Sequence, residues 1–353
     1  MISLKVPARI CFFGDHQDYL GLPVIAGTIN RYIQLKAQPI REPEFQLDLP
    51  NTGQSRVISL GEWKMNITSK DYFLAAIAVL EKEGFEFNTG YQIEISGDIP
   101  VNAGLSSSSA LTVAWIRFLI AIQNRKVEVS DAKIGHWAYL AEVAFFKNPG
   151  GLMDQYTIAQ KGLLFIDTST GKTKKLKGHL GSLVVAESGI SKETLEVLQN
   201  ARAFQEKAVE QVKKKLPDFE IRNSSSADYQ KYLPLVTKDY RDHWYAATHN
   251  YDITMKANRL LSNKNPDMVK LGELMNAHQH ILENQIGNTP KKMMDMMGAA
   301  RNAGAYGAKT IGSGGGGCMV AMVSDASKAS VINAFTDHGA RDAYEVELIY
   351  PQL

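Results

Sequence analysis

Hydrophobic and polar positions follow two different periods along this 353-residue chain. In the first half, short apolar or alternating stretches are typical of β-strands. These stretches span residues 6–13, 24–35 and 91–95. In the second half, apolar residues recur at helical spacing over longer segments. These predicted helices span residues 237–261, 268–286 and 290–303. The change of period places a boundary near residue 180 and predicts two domains, 1–180 and 181–353.

Composition and charge argue against several classes of function. The chain has 39 Lys and Arg against 37 Asp and Glu, so 39 − 37 gives a net charge of +2. This balance gives no electrostatic reason to expect nucleic acid or an anionic membrane as a partner. The two cysteines, Cys11 and Cys318, are too few and too far apart for a disulfide framework or a cysteine-based zinc site. Because no signal peptide or membrane-spanning apolar run is found either, we expect a cytoplasmic protein.

The segment most informative about chemistry leads into an apolar stretch at residues 110–122 that predicts a buried helix. It consists of Gly104, Leu105, Ser106, Ser107, Ser108 and Ser109. Small side chains let a polyanion approach the backbone, and the N–H groups at a helix start donate to it. The segment lacks the Gly-Lys-Ser/Thr of a Walker A motif. It predicts a phosphate-binding loop, and a serine-rich turn that caps a core helix is the alternative.

A second polar cluster follows the first predicted strand. Asp15, His16 and Asp18 lie within four residues, where a loop is held by a rigid element. Carboxylates accept hydrogen bonds and imidazole can donate or accept, so this cluster could orient several hydroxyl groups of a ligand. A metal site and a plain polar turn are the alternatives.

Two more carboxylates are candidates for chemistry. Asp154 follows a Gly-Gly turn that ends at Gly151, and the stretch after it is apolar, which indicates a buried carboxylate. If Arg9 lies beside it, the guanidinium would keep Asp154 ionised and could also contact a transferring phosphate. Glu142, on the preceding predicted helix, is a candidate Mg²⁺ ligand. An isolated Glu on a helix more often lies on a solvated face, which is the alternative here.

A third loop is rich in glycine. Five of the six residues from Gly312 to Gly317 are glycine, and an apolar, β-forming stretch begins at Cys318. So many glycines cost conformational entropy on folding. They therefore indicate a close approach of the backbone, either to a phosphate of a ligand or to the Gly-Ser segment at residues 104–109.

Taken together and in this order, the segments resemble the GHMP small-molecule kinases, which include galactokinase, homoserine kinase, mevalonate kinase and phosphomevalonate kinase. Three motifs carry the resemblance, at residues 9–19, 100–110 and 304–318. They span nearly the whole chain. The resemblance implies an α+β, two-domain GHMP kinase fold. Its N-terminal domain would be of the ribosomal protein S5 domain 2 type, and its C-terminal domain would be ferredoxin-like.

Within this family, the first motif is most similar to the galactokinases. They carry Arg at the position of Arg9 and Gly-Glu-His-Xaa-Asp-Tyr where this chain has Gly14-Asp15-His16-Gln17-Asp18-Tyr19. Mevalonate kinases typically have Lys at the position of Arg9 and lack the carboxylate of Asp18. The segment 151–155 also resembles galactokinases, whereas 289–318 is closer to mevalonate kinase. The resemblance thus favours a galactokinase-like sugar kinase.

Several departures leave the sugar open. Asp15 replaces the usual Glu and is one methylene shorter, and Ser313 stands where the family often has Ala or Gly. The N-terminal galactokinase signature and the Ser-Glu-Tyr segment that supplies a sugar-contacting Tyr are both absent. Galactose, a related hexose, a uronic acid, a pentose and a heptose therefore all remain candidates.

The resemblance implies a role for each candidate residue. Asp154 and Arg9 would be catalytic, acting on a sugar hydroxyl that is expected to be the anomeric one. Asp15, His16, Asp18 and Gly151 would bind the sugar. The loop from Gly104 to Ser109 would bind ATP, and Ser108 and Glu142 would hold Mg²⁺. The partners would be the sugar and ATP, and the protein would be a monomer or homodimer. Mevalonate kinase and a non-catalytic sensor of sugar and ATP are the alternatives.

Overall fold

The computed structural model describes residues 1–61, 67–101, 103–124, 127–191 and 194–350. These residues form two compact units. Unit 1 comprises residues 1–9, 30–101 and 106–161, and unit 2 comprises residues 10–29, 102–105 and 162–353. Each of the first two strands contributes residues to both units. The division into domains 1–180 and 181–353 stays a prediction, because each unit is defined by its internal contacts and consists of several separate segments of the chain.

Unit 1 is built on antiparallel and parallel strand pairs. Its strands, two of which continue into unit 2, are β1 (Ile2–Phe13), β2 (Val24–Ile40), β3 (Glu44–Leu49), β4 (Gln54–Ser59) and β5 (Gly90–Gly97). The order is β4-β3-β5-β2, and β1 pairs with β2. Strand β3 runs parallel to β5, with Phe45 beside Tyr91, whereas β2 runs antiparallel to β5.

Four helices lie in the part of unit 1 that the structure describes. They are α1 (Tyr72–Lys82), α2 (Ser107–Ala121), α3 (Asp131–Tyr139), which continues into a π-helical turn at Leu140–Ala144, and α4 (Met153–Gln160). Helix α2 is apolar on nearly all sides, which is typical of a helix inside a core. Its Trp115 and Phe118 are fully buried and contact the ring of Phe45 at 5.4 and 5.7 Å between centroids. This core fixes the start of α2.

Unit 2 contains a four-stranded antiparallel sheet. Strands β6 (Leu163–Asp167) and β7 (Lys172–Lys175) form a hairpin, and β6 pairs with residues 24–27 of β2. The four strands of the sheet are β8 (Ser182–Glu187), β9 (Gly307–Thr310), β10 (Cys318–Val323) and β11 (Asp342–Val346). Their order is β11-β8-β10-β9. All six residues of β10 are buried, because this strand lies inside the sheet.

Helices cover unit 2 and pack into apolar clusters. The helices in the described residues of this unit are α5 (Thr194–Lys215), α6 (Tyr229–Tyr232), α7 (Arg241–Leu261), α8 (Met268–Ile281), which continues into a π-helical turn at Leu282–Ile286, α9 (Lys291–Asn302) and α10 (Lys328–Asp337). One cluster joins the sheet to α9 and α10 through residues such as Met296 and Phe335. Another surrounds Trp244 of α7. The helices predicted in the second half are confirmed.

None of the helices in the described ranges is both long and apolar enough to cross a membrane.

Candidate active site

The side chains of Arg9 and Asp154 meet in unit 1 although 145 positions separate them. Arg9 Nε donates to Asp154 Oδ1 at 2.7 Å, and Arg9 Nη2 donates to Asp154 Oδ2 at 2.6 Å. Two parallel contacts between a guanidinium and a carboxylate are the strongest form of this pair. The Arg9 side chain is 5% exposed, whereas that of Asp154 is 26% exposed. The carboxylate is therefore fixed by a cation and still open to solvent.

Ser106 completes this group. It precedes α2 in a left-handed conformation with φ +58°, which an L-residue rarely adopts. Its hydroxyl does not cap the helix but donates to Asp154 Oδ2 at 2.5 Å. Backbone strain of this kind is found most often at functional sites, where the surrounding structure holds it. Through this hydrogen bond, Ser106 connects the predicted phosphate loop with the carboxylate of Asp154.

The rest of the loop leads directly into α2. Gly104 has φ +92°, which favours glycine, and the Leu105 side chain is fully buried. Because the Leu105 side chain is buried, only the backbone of Leu105 could contact a ligand. Ser107 is partly exposed, Ser108 is exposed and Ser109 is buried. Helix α2 has no acidic residue in its first turn, so its free N–H groups present a positive end. This end of the helix is suited to a phosphate.

Glu142 is buried, so the solvated face considered for it in the sequence is wrong. It lies in the π-helical turn after α3 and is 7% exposed. Its Oε2 accepts a hydrogen bond from Gln155 Nε2 at 2.7 Å, and the same nitrogen lies 3.3 Å from Ser109 Oγ. Burial raises the pKa of the Glu142 carboxyl, hydrogen bonds from Gln155 and from Ser108 and Ser109 oppose this, and Asp154 adds to it.

These oxygens bear on the predicted Mg²⁺ site. Among the residues that the structure describes, no group of three or more His, Cys, Asp or Glu side chains could hold a metal ion by itself. Mg²⁺ in kinases is instead bound by one or two carboxylates together with phosphates of the nucleotide. Glu142 and the hydroxyl of Ser108 fit this role, since burial disfavours the charged carboxylate and a divalent cation would stabilise it.

The loop after β1 carries the second group of predicted residues, in unit 2. Gly14 has φ +97° and His16 has φ +61°, so the backbone turns sharply here. His16 Nε2 lies 2.9 Å from the carbonyl oxygen of Ser313. Asp18 Oδ1 accepts from the N–H of Tyr19 at 3.0 Å, at the start of a short 3₁₀ turn. Gly151, in unit 1, is partly exposed and leads into α4.

Asp15 is more deeply buried than expected for a residue that binds substrate. It is 3% exposed. Its Oδ1 accepts from the N–H of Gly312 at 3.0 Å, and its Oδ2 forms an ion pair with Lys309 Nζ at 2.8 Å. Burial by itself would raise the pKa of the Asp15 carboxyl, but the charge and contact of Lys309, with contributions from the neighbouring imidazoles of His278 and His16, hold it below the usual range.

Three residues of this region were missed in the sequence. Lys309 and Asn288 are buried, and Asn288 Nδ2 lies 3.0 Å from both His16 Nε2 and the carbonyl oxygen of Ser313. Gln205 of α5 donates to the carbonyl of His16 at 2.9 Å. For Lys309 a signal was available, because a lysine within a stretch of small, strand-forming residues is unusual. For the other two, nothing in the spacing indicated a contact.

The glycine-rich loop approaches other backbone closely. A Cβ added at Gly314 would lie 2.5 Å from the carbonyl oxygen of Asn288, and one added at Gly317 would lie 2.6 Å from that of Ala103. The N–H of Cys318 donates to the same Ala103 carbonyl at 2.8 Å. The close approach indicated by the five glycines is therefore confirmed, and one neighbour is the residue directly before the Gly-Ser segment.

Comparison with known proteins agrees with this geometry. The model of the GHMP kinases N-terminal domain matches residues 71–162, and that of the GHMP kinases C-terminal domain matches residues 258–341. A mevalonate kinase of Pyrococcus furiosus is 28% identical over 91% of this chain and 89% of its own length. A galactokinase of the same organism is 26% identical over 94% of this chain and 91% of its own length.

Solved structures show the same fold. The galactokinase of Lactococcus lactis, complexed with galactose, superposes with a TM-score of 0.85 at 20% identity, covering 98% of this chain and 93% of that one. The two-domain fold of mixed α and β content expected from the resemblance is thereby confirmed. The chain carries the N-terminal and C-terminal domains of the GHMP kinases and belongs to that family, which implies an ATP-dependent phosphotransferase that acts on an alcohol.

Proposed function

We propose that this protein transfers the γ-phosphate of ATP to a hydroxyl group of a sugar, and that this hydroxyl is the anomeric one. The observation that carries the proposal is the two-contact pair of Arg9 and Asp154, with the Ser106 hydroxyl on the same carboxylate. A fixed, partly exposed carboxylate beside a permanent cation is suited to receive an acceptor hydroxyl next to a transferring phosphate.

Each residue has a role in the proposed reaction. Asp154 orients the acceptor hydroxyl and takes its proton while the bond from that oxygen to the γ-phosphorus forms. The bond between the γ-phosphorus and the β–γ bridging oxygen breaks, and ADP leaves with the electron pair. Arg9 holds the Asp154 carboxylate by two contacts before the transfer and stabilises negative charge as it develops. The loop from Gly104 to Ser109 binds the phosphates of ATP.

Mg²⁺ is part of the proposal. Glu142 and Ser108 would hold it, and when bound it supplies positive charge to the phosphate oxygens. Gln155 holds the Glu142 carboxylate through a hydrogen bond of 2.7 Å and so fixes its direction. His16, Asp18 and Gly151 are proposed to bind the sugar.

The first loop and the Arg9 pair support a sugar rather than mevalonate. A lysine at position 9 is a point charge and could not make two parallel contacts with Asp154. Asp18 adds a carboxylate, and carboxylates accept hydrogen bonds from the hydroxyls of a sugar. Mevalonate is the second candidate acceptor, since a mevalonate kinase with 28% identity is slightly more similar to this chain than a galactokinase with 26%.

An acceptor panel tests the proposal. The purified protein is incubated with ATP and Mg²⁺ and with one acceptor at a time: galactose, other hexoses, a uronic acid, a pentose, a heptose and mevalonate. We expect ADP release to depend on one sugar. A product that hydrolyses in mild acid would identify the anomeric phosphate. ADP release with mevalonate only would overturn the sugar assignment.

The same panel separates the enzyme from a sensor. Ligands that bind only the folded state raise its melting temperature, whether or not they react. Stabilisation by both a sugar and ATP, without any release of ADP, would favour the sensor. Turnover with the stabilising sugar would exclude it.

A further inference from the structure

We propose that Asp15 does not bind the acceptor but acts with Lys309 as a buried pair that positions the backbone supporting the phosphate-binding loop. Both are therefore positioning residues for ATP. The inference depends on the proposed function only for its kinetic measurements. The nucleotide-binding and stability measurements below test it independently of any acceptor.

The Lys309 ammonium group is fully buried inside unit 2. The side chain is 0% exposed and that of Asp15 is 1% exposed. Besides the ion pair at 2.8 Å, Nζ donates to the carbonyl oxygens of Cys11 at 3.1 Å and Thr310 at 2.5 Å. An ammonium group has three N–H donors, and the two carbonyl oxygens take two of them while the ion pair with Asp15 balances the charge.

The Asp15 carboxylate is equally buried. One oxygen accepts the N–H of Gly312 and the other faces Lys309. An acceptor hydroxyl could reach either oxygen only by opening this packing, and displacing Lys309 would leave a buried charge unpaired. Aspartate at this position is one methylene shorter than glutamate, which keeps the carboxylate close to β1 and beside Lys309. The sugar-binding role expected for Asp15 is therefore given up.

The contacts lead from this pair to the phosphate-binding loop within unit 2. Gly312 begins the glycine-rich loop, and Ser313 and Gly315 are held by Asn288, whose carbonyl accepts from the N–H of Gly315 at 2.6 Å. The loop ends where the N–H of Cys318 donates to the carbonyl of Ala103. Ala103 directly precedes Gly104. A shift at Gly312 would therefore change the support beneath the residues proposed to bind ATP.

The test compares Lys309→Met, Asp15→Asn and the double variant Asp15→Asn/Lys309→Met with the unmodified protein. Removing one member of a buried pair leaves the other uncompensated, so we expect each single variant to melt about 5–15 °C lower. In the double variant the charge is removed from both sides, so we expect most of this loss to be recovered. Additive losses would show that the two residues do not act as a pair.

Ligand binding distinguishes the two roles of Asp15. ATP affinity is measured by calorimetry without acceptor, and KM for ATP and for the acceptor are measured separately. We expect Lys309→Met to weaken ATP binding about 5- to 20-fold, a loss typical of a misplaced backbone support rather than of a lost direct contact. We expect KM for the acceptor to change less than about 2-fold in the double variant. A tenfold rise in acceptor KM with unchanged ATP affinity would overturn the proposal.

Asp18→Asn is the matched control, because it removes a carboxylate from the same loop without touching the buried pair. We expect it to raise KM for the acceptor and to leave ATP affinity unchanged. Where Lys309→Met does not fold, Lys309→Arg and the double variant give the same comparison, since Arg keeps the charge but not the geometry. An Lys309→Arg variant with normal ATP affinity and raised acceptor KM would again contradict the proposal.

Discussion

Two of the pairs of a cation and an aspartate in the described part of the chain differ mainly in their access to solvent. In unit 1, Arg9 holds Asp154 by two contacts while a quarter of the Asp154 side chain stays exposed. In unit 2, Lys309 holds Asp15 with both side chains at 1% exposure or less. The two arrangements are chemically alike, yet only the first leaves a carboxylate that a ligand could reach.

The difference in burial determines what each pair can do. Removing charges from water is costly, and a fully buried pair regains this cost only through good geometry and additional hydrogen bonds. The Lys309–Asp15 pair meets this condition through three backbone partners, those of Cys11, Thr310 and Gly312. Such a pair holds the backbone in place. A partly exposed pair costs less to form and can exchange a proton with a ligand.

Asp154→Asn gives the largest expected effect and tests the reactive side of this comparison. Asparagine keeps the shape but cannot accept a proton, so we expect kcat to fall by about 10²–10⁴-fold. We expect ATP affinity to be retained, and we expect the melting temperature to fall less than in Asp15→Asn because Asp154 is partly exposed whereas Asp15 is buried. Kinetics with the acceptor found by the panel, calorimetry with ATP, and thermal melts measure the three quantities.

The control for this variant is Asp131→Asn. Asp131 forms an ion pair with Arg117 at 2.7 Å in the same unit, but its side chain is half exposed. Surface ion pairs contribute little to stability, so activity and melting temperature should both stay near the values of the unmodified protein. Near-normal turnover of Asp154→Asn would remove Asp154 from the proposed catalytic role.

Glu142→Gln gives the next largest effect and asks whether the buried carboxylate of unit 1 serves a metal rather than the fold. The amide keeps an acceptor for Gln155 and removes a charge that burial disfavours, so stability should be unchanged or higher. We expect the Mg²⁺ concentration for half-maximal activity to rise about 10- to 100-fold. An unchanged Mg²⁺ dependence would contradict the proposed metal role.

The sequence predicted the reactive pair better than the buried one. Asp154 was chosen because it follows a Gly-Gly turn and precedes an apolar stretch, and Arg9 because it belongs to the motif at residues 9–19. The structure brings them together. Lys309 lies in β9, whose four residues are all buried. A lysine among small, strand-forming residues is an unusual local pattern, but this pattern does not indicate which residue would pair with the lysine. Its stability depends on Asp15, which lies almost 300 positions earlier in the chain.

The direction in which a side chain points could not be predicted from the sequence either. Periodicity identified the helix that carries Glu142, but the π-helical turn at Leu140–Ala144 changes the residues per turn and so the face on which Glu142 lies. His278 lies on a predicted helix whose spacing does not indicate how deeply this side chain is buried, and in the structure it is fully buried. Strand and helix positions depend on local sequence, whereas these contacts depend on the packing of distant segments.

The smallest expected effect is the pH dependence of stability that comes from His278, which lies close to the buried pair of Asp15 and Lys309. Its ring stacks on Phe13, and burial, followed by the charge of Lys309, lowers its pKa to about 3, while Asp15 opposes this and His16 adds slightly. Between pH 6.5 and pH 3 the unfolded chain binds a proton that the folded protein does not, so stability falls as pH falls through this range. From pH 6.5 to 5.0 we expect a loss of about 1.5 kcal/mol in the free energy of unfolding from this residue.

The lowered pKa of Asp15 acts in the same direction but only below its ordinary value of 3.8. His243 and His249 also have lowered pKa values and remain in a His278→Gln variant, so the difference between the two proteins in urea unfolding isolates His278. Curves that stay parallel from pH 7.5 to 5.0 would mean that His278 titrates in the folded protein as it does in the unfolded chain, and the buried pair would then lie in a more polar environment than its contacts indicate.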